Sequence, residues 1–298
     1  MSTSTIYGSR LAHQAPANRP PAPRRAAKLP TVVLLLGAAY CLLPILWVIT
    51  AASKTNGQLF SSFTLAPGTA LVDNVVDLSE YQGGVYWQWI LNTALYAGVG
   101  AVLSTVVSGL TGYTLAKYRF PGRSAVFNVL LAGVLVPTVV LAIPQYLLLA
   151  KFQLTDTYWS VLLPSILSPY GIYLARIYAA AAIPDSLIEA ARTDGAGEVR
   201  IVTSIATPAM VPGLVTVFLF QFVAIWNNFL LPFIMLTSDR KFPVTVGLYT
   251  LLNQGNTTPV LYTLVITGAL LSILPLVVLF LTLQRYWRVD LLSGAVKG

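Results

Sequence analysis

Charged residues, cysteine and histidine are all scarce in this sequence. Asp, Glu, Lys and Arg make up 9% of its 298 residues, against about a quarter in soluble domains. In contrast, 56% of the residues are hydrophobic and the mean hydropathy is +0.73. The single cysteine, Cys41, excludes an intrachain disulfide bond and a cysteine metal cluster. The single histidine, His13, excludes multi-histidine sites and His–Ser or His–Cys pairs. The composition therefore indicates a membrane protein.

Two further absences exclude functions. The sequence lacks the Gly-x-x-x-x-Gly-Lys-Ser/Thr pattern whose backbone cradles nucleotide phosphates, so the chain does not hydrolyse ATP by that route. Its formal charge of +8 does not predict nucleic-acid binding, because the Lys and Arg residues lie at the ends of apolar runs and not among aromatic residues on a polar face. We therefore expect no nucleic-acid partner.

Six apolar runs each approach the ~20 residues that cross about 30 Å of hydrocarbon. Among structures that are not closed on themselves, only helices satisfy all their backbone hydrogen bonds within the hydrocarbon. The sequence therefore predicts an all-α membrane protein with six transmembrane helices in one domain, residues 31–284. We expect a disordered basic tail at 1–30 and a C-terminal tail at 285–298. The six runs are 31–51, 90–116, 126–149, 158–180, 209–235 and 260–283.

The distribution of Lys and Arg predicts the orientation of the chain. The N-terminal tail has five such residues, whereas the loop at 52–88 has only Lys54 and the loop at 150–157 only Lys151. Since Lys and Arg favour the cytoplasmic side, both termini and the polar loop at 181–208 are expected in the cytoplasm. Aromatic residues before the second run are expected in the outer interfacial belt; they are Tyr81, Tyr86, Trp87 and Trp89.

The loop at 181–208 is the most polar internal segment, and its pattern predicts two helices joined by a bend. Pro184 suits the first turn of a helix. Leu187, Ile188 and Ala191 then fall on one face, and Gly195 suits the left-handed position just past the helix end. A second amphipathic stretch is expected to bury Val199, Val202 and Ile205 and to end at Pro208.

This loop also carries a resemblance. Glu189-Ala190-Ala191, followed after three residues by Gly195 and after nine more by Ile205-x-x-Pro208, resembles the cytoplasmic EAA signature of bacterial ABC-importer permeases, in the version found in carbohydrate importers. Thr207 departs from the leucine usual before the proline. Three further segments resemble the same family, so that the likeness covers most of residues 90–298: Tyr118–Arg123, Trp226–Phe229 with Pro232, and Gly294–Gly298.

The resemblance implies a permease subunit with type I importer architecture in a bacterial plasma membrane, forming half of the pore for a sugar or sugar-like solute. Implied partners are a homologous second permease, an ABC ATPase dimer, an extracytoplasmic solute-binding protein and membrane lipid. ATP and Mg²⁺ would be bound by the ATPase and no cofactor by this chain. The apolar face of the first loop helix would enter a groove on the ATPase, and Glu189 would meet the groove's rim. The implied coupling residues are Leu187, Ile188, Glu189, Ala190, Ala191, Asp194, Gly195, Ile205 and Pro208.

Polar and aromatic residues within the runs are candidates for the substrate pathway. Amide groups match the hydroxyls of a sugar, and aromatic rings can stack on it; Gln145 offers another amide. The alternative for each residue is an interhelical hydrogen bond. The candidate pathway residues are Tyr173, Gln221, Trp226, Asn227 and Asn228.

Two other classes of function remain as alternatives. A self-contained secondary transporter would need its own ion-coupling groups, and the sequence has no internal repeat. A membrane-embedded enzyme would need a nucleophile with a base, or metal ligands. Both alternatives are disfavoured because the apolar runs contain no Asp, Glu, His or Lys well inside the expected hydrocarbon. The sequence thus predicts a transport subunit and not an enzyme.

Overall fold

The computed structural model describes residues 28–61, 65–255, 257–259 and 261–295, the last nine of these without side chains. The regular secondary structure of these residues is entirely helical, with no strand among them. Short 3₁₀ turns lie at Tyr81–Gly83 and Asp239–Lys241, and a π-helical turn at Val202–Ala206. The α-helices are α1 (Lys28–Ala52), α2 (Asn56–Ser61), α3 (Leu71–Glu80), α4 (Val85–Lys117), α5 (Arg123–Leu135), α6 (Thr138–Lys151), α7 (Tyr158–Ile166), α8 (Pro169–Ala182), α9 (Asp185–Thr193), α10 (Glu198–Ile201), α11 (Thr207–Trp226), α12 (Leu230–Met235), α13 (Val244–Gln254) and α14 (Leu261–Ala295).

The boundary predicted for the N-terminal tail needs correction. Residues 1–27 and 296–298 lie outside the described residues, but residues 28–30, assigned to the disordered tail, form the first turn of α1. Proline is tolerated there because the first-turn N–H groups have no partner within a helix. Residues 285–295, assigned to the C-terminal tail, continue α14 as helix.

The chain divides into two units at Leu46–Trp47. In the first unit, the described part of α1 has apolar side chains exposed all around it, as expected of a helix surrounded by lipid. The second unit, from Trp47 onward, contains the other helices and the sites described below.

The prediction of an all-α multi-pass membrane protein is confirmed. Five helical segments of the described chain are long and apolar enough to cross a membrane, and α5 with α6 makes a sixth that is bent by 106°. The five are Lys28–Ala52, Val85–Lys117, Tyr158–Ala182, Glu198–Trp226 and Leu261–Tyr286.

Three of the predicted runs are not continuous helices. The fourth is broken at Leu167 and Ser168, which are extended before Pro169. The third is broken because Val136, which precedes Pro137, adopts an extended conformation, as the proline ring disfavours helical backbone before it.

The fifth run ends at Trp226, and its last residues form the separate helix α12. There the side chain of Asn228 accepts a hydrogen bond from the backbone N–H of Leu231 (3.4 Å). This asparagine therefore helps to begin a new helix instead of extending the old one.

Helix α4 runs through the middle of the second unit and packs against α3, α7, α8, α11 and α13. It contributes buried side chains to three successive apolar clusters, with Trp89 in the first, Tyr96 and Ala101 in the second and Tyr113 in the third. Helix α7 packs on α4 in the second cluster, α8 packs on it in the third, and α11 contributes to both.

The predicted outer aromatic belt is wrong for Tyr86 and Trp89, which are buried inside the protein. The Tyr86 hydroxyl donates to the carbonyl of Gly268 (2.9 Å), and the Trp89 indole N–H donates to the carbonyl of Asp239 (3.0 Å). Both rings are covered because α13 and α14 pack over this part of the chain. Trp87 remains exposed.

Asp156 connects two loops on the same side of the protein. Its carboxylate accepts hydrogen bonds from the backbone N–H groups of Thr237 and Ser238 (both 3.0 Å) and pairs with the Lys241 ammonium (2.9 Å). Burial raises the pKa of this carboxyl, but the Ser238 N–H, Lys241 and the Thr237 N–H together outweigh burial and lower the pKa to about 2.

Small residues bring α4 and α8 into close contact. A methyl group on Gly112 would lie 2.6 Å from the backbone nitrogen of Arg176 and 2.7 Å from the Cβ of Ala175. One turn away, a methyl group on Gly171 would lie 2.7 Å from the Ser108 hydroxyl oxygen. Close approach of backbones through small residues is the usual basis of helix association in membranes, where no hydrophobic effect favours it.

We expect Gly112→Ala to destabilise the protein by about 1–3 kcal/mol, the usual cost of overpacking a filled interior. The added methyl group meets backbone atoms of α8, which cannot move aside as a flexible side chain would. The measurement is the thermal unfolding midpoint of the detergent-purified chain. Gly98→Ala in the same helix is the control, because its methyl group would have no neighbour within 4 Å. Equal midpoints for the two variants would contradict this account of the α4–α8 contact.

Candidate functional site

The polar loop at 181–208 begins where α8 ends. It is called the coupling loop below, after the role that the resemblance implies for it. Ile183 is buried, and Pro184 directly precedes α9 instead of lying in its first turn. After α9, the N–H of Gly195 donates to the carbonyl of Arg192 (3.0 Å), and the N–H of Ala196 donates to the carbonyl of Ala191 (2.9 Å). Gly195 has φ +79°, so the predicted left-handed bend is confirmed.

Pro208 does not end the second loop helix, contrary to the prediction. The chain stays helical from Glu198 through the π-helical turn and α11 to Trp226. In the wide turn, the N–H of Thr207 donates to the carbonyl of Val202, five residues back. A π-turn of this kind gives the proline ring room beside the carbonyl four residues before it, with which it would clash in a regular α-helix.

Two of the three residues predicted on the apolar face of α9 are buried against this chain. Ile188 and Ala191 are only 4% and 8% exposed, in a cluster with Ile183, Ile201 and Ala206. These two side chains are therefore not available to a groove on another protein, whereas Leu187, predicted on the same face, is 43% exposed. A short amphipathic helix between two spans can bury its apolar stripe against its own spans, which sequence periodicity alone does not reveal.

The opposite face of α9 is open to a partner. Of the predicted coupling residues, Leu187, Glu189, Ala190 and Asp194 are exposed on α9 and its end. Gly195 and Pro208 are also exposed, and Ile205 is half-buried. Sequence reasoning missed Ser186 and Thr193, which are exposed and lie near Ala190 at helical spacings of three and four. Their positions on the helix face opposite Ile188 were the sequence signal that could have identified them.

A polar network fixes the coupling loop to the end of α4. The Lys117 ammonium donates to the Asp185 carboxylate (2.7 Å), and this hydrogen bond lowers the pKa of Asp185. Glu198 accepts from Arg192 (2.9 Å) and from the hydroxyl of Tyr118. The hydrogen bond to Glu198 raises the pKa of Arg192. Sequence reasoning missed the pairings of Lys117 with Asp185 and of Tyr118 with Glu198 because they join residues 68 and 80 positions apart in the chain.

A cavity of about 690 Å³ lies where three helix breaks meet. The breaks are those between α5 and α6, between α7 and α8, and between α11 and α12. Irregular backbone at membrane depth is tolerated where it is buried in protein or lines a water-filled cavity. The lining residues that carry polar groups or rings are Thr138, Gln145, Ser165, Ser168, Tyr170, Phe220, Gln221, Asn227, Asn228 and Phe229.

Three of the five predicted pathway residues line this cavity, namely Gln221, Asn227 and Asn228. The other two do not. Trp226 is 3% exposed and stacks on Phe222 within the core (ring centroids 5.5 Å apart). Tyr173 stacks on Phe127 of α5 (6.4 Å). Both aromatic side chains are used for helix packing, an alternative that the sequence left open.

Hydrogen bonds hold the cavity wall in place. The Gln221 amide donates to the Ser168 hydroxyl (2.7 Å), and that hydroxyl in turn accepts from the N–H of Gly171 at the start of α8 (3.0 Å). The Asn227 amide donates to the Val223 carbonyl (2.9 Å). The backbone carbonyl of Asn228 accepts a hydrogen bond from the Thr245 hydroxyl (2.8 Å). The breaks are thus built features with partnered polar groups.

Within the described part of the chain, no three His, Cys, Asp or Glu side chains are grouped so that they could hold a metal ion. The chemistry that the cavity offers to a ligand is hydrogen bonding by amides and hydroxyls and contact with aromatic rings.

Comparison with known proteins gives a family match. Residues 104–288 match the family described as binding-protein-dependent transport system inner membrane component. The chain is 35% identical to the arabinooligosaccharides transport system permease protein AraQ of Halalkalibacterium halodurans, over 92% of this chain and 99% of that protein. It is 31% identical to the lactose transport system permease protein LacG of Rhizobium radiobacter, over 89% and 94% of the two chains.

A solved structure shares the fold. A chain of a bacterial ABC transporter involved in the import of the acidic polysaccharide alginate superposes with a TM-score of 0.75 at 21% identity, covering 87% of this chain and 95% of that chain.

We expect Gly195→Val to disrupt the end of α9, because a β-branched residue reaches positive φ at a cost of about 1–3 kcal/mol. The site has no steric obstacle, since a methyl group there would meet nothing within 4 Å, so the backbone conformation alone should account for the effect. The measurement is cleavage of the coupling loop by a protease in the detergent-purified chain. Gly197→Val is the matched control, with equal space and φ −71°. Equal cleavage rates for the two variants would show that the bend does not need the left-handed conformation.

Proposed function

Because the chain belongs to the family of inner-membrane components of binding-protein-dependent transport systems, we propose that it forms half of the translocation pore of an ATP-driven importer for a sugar or sugar-like solute. A homologous second permease supplies the other half. The chain is a transport subunit and not an enzyme. The observation that carries the proposal is the cavity at the three helix breaks, whose mostly apolar wall also carries amide and hydroxyl groups.

Energy for import comes from a separate ABC ATPase dimer, which holds ATP and Mg²⁺. The open face of α9 is the surface proposed to receive it. The support for this is that α9 is fixed on its inner side by Ile188 and Ala191, and at its start by Lys117, while Ala190 and Glu189 remain exposed. A push on the exposed face therefore moves the ends of α4, α8 and α11 as one body.

The charge distribution supports the orientation. With both termini and the coupling loop in the cytoplasm, the loops that contain α3 and α13 face the opposite side, where an extracytoplasmic solute-binding protein would deliver the solute. A self-contained secondary transporter remains the second candidate, but the described residues of the cavity wall include no Asp, Glu, His, Lys or Arg to couple to an ion gradient.

We expect Ala190→Trp to abolish association with the ATPase while the chain remains folded. Ala190 lies opposite the buried face of α9, so a large ring there leaves the core intact but obstructs a closely fitting partner. The measurement is the ATPase-to-permease ratio after co-expression of all subunits and purification through a tag on this chain. The expected fall is at least about tenfold, which corresponds to a loss of 1.4 kcal/mol.

Two variants serve as controls for this experiment. Ala190→Ser keeps a small side chain and should retain the ATPase. Ile188→Asp places a charge in the chain's own core, so we expect it to reduce the amount of folded chain and not only its association. A normal ATPase ratio for Ala190→Trp would mean that this face of α9 is not the contact surface.

A further inference from the structure

Two arginine side chains meet the same turn of α4. Helix α4 ends at Lys117, so its last carbonyls lack partners within the helix. Arg123, at the start of α5, donates from Nη2 to the carbonyl of Ala116 (3.2 Å). Arg176, in the middle of α8, donates from Nε to the carbonyl of Leu115 (3.4 Å). Because these two carbonyls are consecutive, both guanidinium groups lie close together at the end of α4.

Most of the donor capacity of these two groups is unused within the described chain. A guanidinium carries five N–H donors, and each of these two makes one hydrogen bond to another described residue. The acids at this end of α4 already have partners, since Asp185 pairs with Lys117 (2.7 Å) and Glu198 with Arg192 (2.9 Å). Two positive charges therefore come together without a counter-charge from the residues that the structure describes.

The side chain of Arg176 is held against an aromatic ring. Its guanidinium carbon lies 3.7 Å from the centroid of the Phe127 ring, in a cation–π contact. That ring in turn stacks on Tyr173, one turn before Arg176 (6.4 Å). Phe127 follows Arg123 by four residues, so both lie on one face of α5. Stacking on a ring uses the flat face of a guanidinium and not the N–H edge with which it binds an oxyanion.

The two arginines lie where spans end, beside apolar surface. Arg176 precedes the end of α8 at Ala182 by six residues, about 9 Å along the helix, and Arg123 begins α5. No residue of α5 is buried, and Val129 in α5 and Ile177 in α8 are exposed. A small anion from solution makes no use of such apolar surface, whereas the acyl chains of a lipid cover it. Cations at this depth favour partners that compensate their charge.

We propose that Arg123 and Arg176 form a binding site for the phosphate group of an anionic phospholipid, in the leaflet on the side of the coupling loop. The phosphate oxygens accept hydrogen bonds from both guanidinium groups, and the acyl chains lie along the exposed apolar side of α5. The bound phosphate joins α5 to α8 at the end of α4. The inference goes beyond the proposed function, because it needs neither a particular solute nor the ATPase.

A binding measurement on the full chain in a neutral detergent tests the site. Phosphatidylglycerol is titrated and the bound lipid is counted by native mass spectrometry. Phosphatidylcholine with the same acyl chains is the matched zwitterionic probe, and inorganic phosphate is the competitor without acyl chains, compared with chloride at equal ionic strength. We expect phosphatidylglycerol to bind at least about tenfold more tightly than phosphatidylcholine, and phosphate to displace no more of it than chloride does. Equal affinity for the two lipids would overturn the recognition of charge. Displacement by phosphate would reveal a site for the free ion and overturn the lipid site.

Variants of the two arginines locate the site. Arg123→Gln and Arg176→Gln should each weaken phosphatidylglycerol binding by about fivefold or more, and Arg176→Lys by about threefold, because lysine keeps the charge but lacks the planar fork. Arg200→Gln is the matched control, since it removes an exposed arginine of the coupling loop, and it should leave binding unchanged. Wild-type affinity in both glutamine variants, or an equal loss in the control, would overturn the site. Thermal unfolding without lipid shows which variants remain folded, and the comparison of the two lipids on the unaltered chain needs no variant.

The assembled importer tests whether this surface stays open to lipid. The same titration is repeated on the complete complex, with and without Arg176→Gln in this chain. We expect the variant complex to bind less phosphatidylglycerol than the unaltered complex, as the isolated chain does. Loss of this difference on assembly would mean that another subunit covers α5, and would overturn the lipid site in favour of a subunit contact.

Discussion

The close contact between α4 and α8 is the constraint on which both sites depend. Gly112 admits the backbone of α8 at Ala175 and Arg176, and Ser108 meets Gly171 one turn away. Helix α8 begins at the cavity and ends at the coupling loop, with 14 residues and no break between them, a span of about 21 Å. A helix packed this tightly cannot bend independently of α4. The position of one of its ends therefore determines the position of the other.

Helix α11 makes a second connection between the same two places. It continues from the π-helical turn of the coupling loop and ends at Trp226, beside the cavity. The two helices are joined at the cavity by Gln221 and Ser168, and at the loop by the apolar cluster around Ile201. In the proposed function, displacement of the loop reaches the cavity through two helices that are fixed to each other at both ends. Two rigid elements in parallel transmit a tilt as well as a translation.

The parts that the sequence predicted well are those specified locally. Gly195 is an example, because a left-handed residue after an amphipathic stretch needs no knowledge of distant contacts. The helical character and approximate limits of the spans followed from the length of the apolar runs. The direction in which a side chain points required tertiary information. An apolar stripe at Ile188 indicates that the side chain is buried but not which surface buries it. For an aromatic residue such as Trp226, the sequence does not show whether the ring lines a pathway or packs in the core.

Proline positions were ambiguous for the same reason. Membrane helices tolerate proline when neighbouring structure accommodates it, so the sequence alone did not distinguish the break before Pro137 from the continuous helix through Pro208. The difference lies in the residues before each proline. Val136, before Pro137, is extended, whereas a π-helical turn at Val202–Ala206 precedes Pro208. Likewise, the cavity could not be predicted, because it is formed by three breaks that lie far apart in the chain and meet only after α4, α8 and α11 have packed.

The carboxylate of Asp156 has a consequence for acid tolerance. Its pKa of about 2 in the folded chain lies below the value of about 3.9 for an unfolded aspartate. A lowered pKa means that the stabilisation is fully present above about pH 4 and is lost as the pH falls toward 2. In the orientation proposed above, the loops joined by Asp156 face the exterior and meet the acidity of the surroundings directly. The connection between these two loops is therefore expected to persist at pH 4 to 5.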